Sequence, residues 1–160
     1  SPKSPYAAQK LMGEYYASVY WSCFGLETVS LRFFNVYGPR QDPSSPYSGV
    51  LSIFNACLLK GTSPTIHGDG EQSRDFTYVE DVAGLCIKAA EAGSHVAGKV
   101  YNAGNGNRYT LNEVWRTLLK IEGVQIEPKY GPSRAGDVRA ELDDALLRHR
   151  RRRERRGGSR

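Results

Sequence analysis

Segments of strand-like composition alternate with segments of helical periodicity along most of this 160-residue chain. TVSLRFFNV (28–36), rich in β-branched and aromatic residues, predicts a buried strand that leads into a loop. KVYNAG (99–104) predicts a short strand, and VQIEPKYG (124–131) can add a last one. Helical patterns of about 12 to 20 residues separate them. Because a strand followed by a crossover helix places the next strand parallel to it, we expect an α/β fold with a mainly parallel sheet and an added lobe.

The first helix has start and stop signals at its two ends. Ser4 and Pro5 suit an N-cap and a first helical turn. Apolar or aromatic side chains then recur at helical spacing up to Phe24, and Gly25 is a stop signal. The pattern predicts an amphipathic helix that ends at Phe24.

Four further local signals divide the rest of the chain. VLSIFNACLLKG (50–61) predicts a second helix that ends in glycine. In PTIHGDGEQSRDFTYV (64–79), an Asp-Gly pair between two strand-like runs predicts a β-hairpin. The acidic start of EDVAGLCIKAAEAG (80–93) suits the N-terminus of a third helix. Thr110 and Glu113 have the spacing of a capping box ahead of a fourth helix.

The net charge of +5 is concentrated at the carboxyl end. Eight arginines and one glutamate lie between Arg148 and Arg160, so residues 1–147 hold 14 basic and 16 acidic groups and a net charge of −2. The body of the chain therefore lacks the electrostatic footprint of a nucleic-acid partner. The tail repels itself, and we expect it to be disordered or a solvated helix, with a basic-tailed nucleic-acid-binding protein as the alternative of another class.

Membrane and disulfide-rich classes do not fit the sequence. No stretch approaches the about 20 apolar residues of a membrane span, and the N-terminus lacks the layout of a signal peptide. We therefore expect a cytoplasmic protein with no membrane partner. The three cysteines, Cys23, Cys57 and Cys86, are odd in number and lack metal-like spacing, which predicts structural thiols in a reducing compartment and no metal site.

Tyr6 and Lys10, in SPYAAQK (4–10), are four residues apart and so neighbours on one helix face. A phenol has a pKa of about 10 in solution, so a tyrosine acts as a base near neutral pH only when adjacent positive charge stabilises the phenolate. Lys10 can supply part of that charge, and an oxidised nicotinamide ring can add to it. The spacing alone fits an exposed helical pair without a chemical role equally well.

Four other polar residues are candidates for binding. Asn35 lies where a strand becomes a loop, the end at which open α/β sheets bind ligands, although a buried asparagine that pairs with backbone is the alternative. Arg74, together with Arg134 and Asp137 in RAGD, can form a cationic clamp on a diphosphate and an acceptor for a ribose hydroxyl. Taken singly, each of these three fits a surface ion pair.

NAGNGN (102–107) follows a strand and precedes a helix, which is typical of a phosphate-binding loop. The pattern lacks a third glycine at the fingerprint position, where Tyr109 stands, so we expect a tight strand-to-helix turn instead. The histidines share no motif, and we assign none of them a catalytic role. They are His67, His95 and His149.

Seven fragments occur in order over residues 1–139: SPYAAQK, LRFFNVYGPRQDP, YSGVLSIF, IHGDGEQSRDFTYVEDVA, VYNAGNG, TLNEV and RAGDVR. Together they resemble the extended short-chain dehydrogenase/reductase family, within it the NAD-dependent epimerases and dehydratases, and most closely the UDP-sugar 4-epimerases. The resemblance implies that these residues are the C-terminal half of such an enzyme. They would complete an NAD-binding Rossmann-like parallel sheet and add a small α/β substrate-binding lobe.

The resemblance also implies roles for individual residues. Tyr6 would take the proton from the sugar 4-hydroxyl while hydride passes to bound NAD, and Lys10 would hold the nicotinamide ribose and favour the phenolate. Phe33 and Phe34 would lie beside the nicotinamide. The helix from Tyr6 to Phe24 would join a homodimer. The residues that would bind the UDP-sugar are Asn35 at the diphosphate, Gly49 and Val50 at the uracil, and Arg74, Arg134 and Asp137 at phosphate and ribose.

The sequence departs from the family in two places. The glycine-rich βαβ unit that binds the NAD pyrophosphate and the upstream catalytic Ser or Thr are absent, so we expect this chain alone neither to hold NAD tightly nor to turn over substrate. After Arg139 the sequence no longer resembles the family. We therefore expect residues 140–160 to be an atypical terminus or the product of a shifted reading frame. A nucleotide-sugar 4,6-dehydratase and a UDP-glucuronate decarboxylase are the alternatives within the family.

Overall fold

The computed structural model describes residues 2, 4–45 and 48–133. The predicted boundary at residue 139 and the Arg-rich tail lie outside the described residues. The helices are α1 (Pro5–Phe24), α2 (Val50–Leu59), α3 (Val79–Glu91) and α4 (Leu111–Glu122), with a short 3-10 turn at Ser94–Val96. The strands are β1 (Val29–Phe33), β2 (Asn35–Tyr37), β3 (Thr65–His67), β4 (Ser73–Arg74), β5 (Phe76–Tyr78), β6 (Lys99–Ala103), β7 (Tyr109–Thr110) and β8 (Lys129–Gly131).

Parallel pairing predominates among the described strands. β1 pairs with β6, β2 with β5 and β3 with β8, all parallel, and only β4 with β7 is antiparallel. In the longest pair, Val29 lies opposite Lys99 and Phe33 opposite Ala103. The α/β class predicted from the alternation of elements is confirmed, because each parallel pair is joined through at least one helix.

The helix ends follow the capping chemistry that the sequence predicted. The Ser4 hydroxyl accepts a hydrogen bond from the Ala7 N–H at 3.1 Å, and Gly25 closes α1 in the left-handed conformation. Thr110 and Glu113 form the complete capping box of α4. No side chain of α1 is fully buried within the described structure, so this helix packs less deeply than an amphipathic pattern predicts. None of the described helices combines the length and apolar character needed to cross a bilayer.

The hydrophobic core of the described residues lies in the lobe that contains α2, α4 and β3. Phe54, Ile66, Leu111 and Trp115 form its buried cluster. The rings of Phe54 and Trp115 meet edge to face with centroids 5.2 Å apart. The Trp115 indole N–H donates to the Ile126 carbonyl at 2.9 Å, which satisfies the one polar atom that this ring buries.

The hairpin predicted for residues 64–79 is wrong. Its first arm, β3, pairs with β8, and its second arm, β4, pairs with β7. The turn between the arms is held from outside, because Asn112 donates its side-chain amide to the Asp69 carbonyl and its backbone N–H to the Gly70 carbonyl. The second arm thus pairs with β7, next to the N-terminus of α4, and not with the first arm. Long-range pairing overrides the local turn signal.

The single buried strand predicted for residues 28–36 is also wrong in part. The extended segment breaks at Phe34, where the Val36 N–H donates to the Phe34 carbonyl, and its partner changes from β6 to β5 at that point. None of its residues is fully buried. The reason is that, among the described residues, β1 has a neighbouring strand on one edge only.

Candidate active site at the carboxyl edge of the sheet

Three contacts fix the direction of α1 relative to the sheet. Each later residue of α1 contacts a position nearer the start of β1 or β6. The helix α1 therefore runs antiparallel to β1. Tyr6 and Lys10 therefore lie toward the carboxyl end of β1, about 12 Å and about 6 Å beyond Glu14 along the helix axis. The contacts are Glu14 with Arg32, Ala17 with Thr28, and Trp21 with Gly98.

Tyr6 and Lys10 are adjacent in the structure, as their spacing predicts. The Lys10 ammonium lies 5.2 Å from the centre of the Tyr6 ring, and 60% of Tyr6 is exposed. A cation at this distance attracts the electron-rich face of the ring. The pair thus places an exposed phenol and an ammonium group at the carboxyl edge, where α/β sheets bind ligands.

An ion pair that the sequence analysis missed anchors this helix face. Arg32 on β1 donates to both carboxylate oxygens of Glu14, at 2.8 and 2.7 Å. These hydrogen bonds, helped by the positive charge of Arg32, hold the pKa of Glu14 below its ordinary value of 4.5. Because Glu14 follows Lys10 by one helical turn, the pair fixes the rotation of α1 that carries Tyr6 and Lys10. The sequence signal that could have revealed this pair is that Glu14 continues the four-residue spacing of Tyr6 and Lys10.

Asn35 pairs with backbone, one of the two alternatives that its position left open. Its N–H and its side-chain amide both donate to the Asp75 carbonyl, at 3.0 and 3.2 Å. The side chain is half-buried. These two bonds hold the amide group in one orientation at the start of β2.

Asp75 is a second carboxylate near the candidate site that the sequence analysis missed. It is 3% exposed, and its carboxylate accepts the N–H groups of Asn105 at 3.0 Å and Gly106 at 2.8 Å. These are the backbone donors that a phosphate-binding loop would offer to its ligand, and here a carboxylate from the same chain takes them. The turn predicted for NAGNGN follows β6 as expected, but it leads into the short strand β7 before α4 begins.

The two phenylalanines differ in their surroundings. Phe33 ends β1 and is 49% exposed, whereas Phe34 is half-buried and packs against Gly104. A Cβ added at Gly104 would lie 2.8 Å from the Phe34 ring and 2.7 Å from the Asp75 carboxylate. Glycine is therefore required for the strand end, the ring and the carboxylate to meet.

The remaining candidate residues lie on other elements. Gly49 is the N-cap of α2 in an extended conformation, and Val50 is the first residue of that helix. Arg74 is half-buried on β4, and its guanidinium donates to the Ser73 carbonyl at 3.0 Å. Arg134 and Asp137 lie outside the described residues, so the predicted clamp has no described geometry.

The NAD dependent epimerase/dehydratase family matches residues 1–104 of the chain. The chain belongs to this family. Its similarity extends further along the sequence, because the UDP-glucose 4-epimerase of Mycolicibacterium smegmatis is 37% identical over 149 residues, which cover 92% of this chain and 47% of that relative. The resemblance inferred from the seven fragments is confirmed.

Solved structures of the epimerase/dehydratase family share the fold. The UDP-N-acetylglucosamine 4-epimerase from Methanobrevibacter ruminantium, in complex with UDP-N-acetylmuramic acid, has a TM-score of 0.85 and 42% identity and covers 92% of this chain and 47% of its own. The UDP-glucose 4-epimerase of Thermus thermophilus in complex with NAD has a TM-score of 0.79 and 39% identity, covering 93% and 49%. The chain spans about half the length of the curated relatives that it matches.

Proposed function

We propose that this chain is the C-terminal half of an NAD-dependent UDP-sugar 4-epimerase. The observation that carries the proposal is the Lys10 ammonium 5.2 Å from the Tyr6 ring at the carboxyl edge of the sheet. The relatives named UDP-glucose 4-epimerase support this choice over the dehydratase and decarboxylase alternatives. Residues 1–139 would be this half, with residues 140–160 an added tail.

Tyr6 would act as the general base of the reaction. Its phenolate would take the proton from the sugar 4-hydroxyl as that carbon is oxidised to a ketone, and would return the proton after reduction on the other face. Lys10 would lower the free energy of the phenolate and hold the nicotinamide ribose. NAD, when bound, supplies the acceptor and then the donor of the hydride.

The residues present fit one end of NAD only. Lys10 offers a cation beside Tyr6, and Phe33, exposed at the end of β1, offers an apolar ring, which suits the nicotinamide and its ribose. Phe34 would lie next to them. In the described residues, the glycine-containing turn after β6 has its Asn105 and Gly106 N–H groups bound to a carboxylate, so it does not fit the pyrophosphate. The pyrophosphate site would belong to the other half of the protein.

The nucleotide part of the UDP-sugar would bind to this half. Asn35 would contact the diphosphate, the backbone of Gly49 and Val50 would contact the uracil, and Arg74 would contact phosphate. Arg134 and Asp137 would add a phosphate and a ribose contact. We therefore expect the isolated chain to bind UDP measurably and NAD only weakly.

The outer face of α1 would form a homodimer contact in the complete protein. Five of its side chains are apolar or aromatic and exposed, which suits burial against a second copy. A cytoplasmic location stays a prediction. The exposed side chains are Met12, Tyr15, Tyr16, Val19 and Tyr20.

A chimera tests the proposed activity. The N-terminal half of the Mycolicibacterium smegmatis relative would be joined ahead of residue 1, and the products formed from UDP-glucose would be identified by NMR. We expect UDP-galactose from the chimera and no product from the isolated chain. Release of a 4-keto-6-deoxy sugar from UDP-glucose would favour the dehydratase alternative, and release of carbon dioxide from UDP-glucuronate, supplied in a separate assay, would favour the decarboxylase alternative. A folded chimera that binds NAD and UDP-glucose but forms no product would contradict the proposal.

A further inference from the structure

Asp75 is a buried carboxylate that joins three segments distant in sequence. Its side chain accepts two backbone N–H groups from residues 105 and 106, at 3.0 and 2.8 Å. Its carbonyl accepts the backbone N–H of Asn35 at 3.0 Å and the side-chain amide of Asn35 at 3.2 Å. The residue before it is Arg74, and the residue after it begins β5. One residue thus ties the end of β6 to the start of β2.

A carboxylate at this position is costly unless it is well bound. Transfer of an ionised group from water into a protein interior is unfavourable, and two charge-assisted N–H bonds offset that cost only when their geometry is kept. Asp75 therefore has one favourable orientation. With the side chain fixed on one side, the peptide of Asp75 is fixed as well, and its carbonyl is directed at Asn35.

Close packing removes the remaining freedom. Gly104 lies so near that any Cβ there would come within 2.7 Å of the Asp75 carboxylate. Phe34 closes the other side of Gly104 and directly precedes Asn35. The orientation of the Asn35 amide and the position of the Arg74 main chain thus depend on the same carboxylate.

We propose that Asp75 is a positioning residue that orients Asn35 and Arg74 for the diphosphate of a nucleoside-diphosphate ligand. The inference rests on the proposed function for the identity of the ligand. It assigns Asp75 no contact with substrate or cofactor, and its effect on binding passes through the two neighbours. A merely structural carboxylate would instead change the stability of the fold without changing the affinity for UDP.

The test is UDP affinity of the full 160-residue chain, measured by titration calorimetry. Asp75→Asn keeps the shape of the side chain but turns an N–H donor toward one of the two backbone donors. We expect the Kd for UDP to rise about tenfold. Glu113→Gln is the matched control, because this carboxylate also accepts a backbone N–H, at 2.8 Å, but in the capping box of α4. The Kd of Glu113→Gln for UDP should stay within about twofold of the Kd of the original chain, which is a change in binding free energy of less than about 0.5 kcal/mol.

A double-variant cycle separates positioning from direct binding. If Asp75 acts through Asn35, Asp75→Asn should weaken UDP binding much less in an Asn35→Ala background than in the original chain. Equal UDP affinities of Asp75→Asn and the original chain would overturn the inference, and so would an undiminished effect in the Asn35→Ala background. Should Asp75→Asn fail to fold, Gly104→Ala displaces the same carboxylate by contact and is expected to weaken UDP binding as well.

Amide hydrogen exchange keeps this inference distinct from the proposed function. If the original chain binds no UDP, the proposed substrate is wrong, and exchange at Asn35 then decides the role of Asp75. Faster exchange at Asn35 as well as at Asn105 and Gly106 in Asp75→Asn would support the positioning role. Faster exchange at residues 105 and 106 alone would overturn it.

Discussion

At the scale of single residues, the carboxylates of Glu14 and Asp75 hold the elements that carry the candidate site residues. Glu14 fixes the helix that carries Tyr6 and Lys10, and Asp75 fixes the start of β2, which carries Asn35. The two differ in burial, since the Glu14 ion pair is open to solvent on its Arg32 side whereas Asp75 is enclosed. We therefore expect a modest energetic effect from the first and a larger structural effect from the second.

Glu14→Gln should lower the free energy of unfolding by about 0.5 to 1 kcal/mol at neutral pH, because one charge of a solvent-exposed but bidentate pair is removed. The folded pKa of Glu14 is lowered, so its stabilising effect is present above the ordinary pKa of 4.5 and is lost as the pH falls through the lower folded value. Urea unfolding of both proteins at neutral and acidic pH measures this.

The control for this change is Glu122→Gln, on the exposed last turn of α4, which should alter stability by less than about 0.5 kcal/mol. A stability difference between the original chain and Glu14→Gln that persists undiminished at acidic pH would show that the ion pair is not its source.

At the scale of elements, α4 is the helix best fixed by its own sequence. Its capping box satisfies the first turn, its left-handed Gly123 ends it, and Leu111 and Trp115 bury its inner face. By contrast, α1 has a hydroxyl cap and a glycine stop but no fully buried side chain. Helix stability in α4 thus comes from both capping and packing, and the two can be tested separately.

Thr110→Ala should destabilise the chain by about 1 kcal/mol, because the Glu113 N–H loses the hydroxyl that accepts it at 3.1 Å. Thr110→Ser keeps the hydroxyl and should retain most of the stability. The midpoint of urea unfolding, followed by circular dichroism, measures both variants. Equal loss in Thr110→Ala and Thr110→Ser would place the effect in the methyl group rather than in the cap.

The helices and their caps could be predicted from the sequence because their signals are local. Ser4, Gly25, Thr110 and Glu113 act within four residues of their partners. The pairing of β3 and β4 could not be predicted, since the Asp-Gly turn looks the same whether its arms pair with each other or with β8 and β7.

Long-range contacts in the candidate site were equally hidden from the sequence. Spacing places Tyr6 beside Lys10, and the resemblance to the family implies their roles, but the bonds of Asp75 span 30 residues to Asn105 and 40 to Asn35. The Asp-Gly turn signal marks the exposed Asp69, six residues earlier, whereas no local signal marks Asp75 as buried. Only the fold reveals which of the two acids is enclosed and which backbone it binds.

At the scale of the whole molecule, the described core and the candidate catalytic pair lie in different places. The buried cluster is in the lobe of α2, β3 and α4, whereas Tyr6 and Lys10 lie on α1, which contributes nothing to that cluster. Stability of the lobe and chemistry at the sheet edge are therefore separable by substitution.

Phe54→Ala should lower the free energy of unfolding by about 3 to 5 kcal/mol, because this ring is 1% exposed and packs on Trp115. Leu59→Ala on the same helix is the control, since Leu59 is 90% exposed and its truncation should cost less than about 0.5 kcal/mol. Tryptophan fluorescence during urea unfolding reports on both. Similar losses in the two variants would contradict the location of the core.

The most direct test of the central claim is the effect of Tyr6→Phe on the epimerase rate of the chimera. Removal of the phenol hydroxyl should lower kcat by a factor of about 10² to 10⁴, because the proton acceptor is lost. The Kd for UDP should stay unchanged, because the residues that bind UDP are kept. Tyr16→Phe removes a hydroxyl from an exposed ring of the same helix and should leave kcat within about twofold. A Tyr6→Phe chimera that interconverts UDP-glucose and UDP-galactose at the original rate would contradict the account.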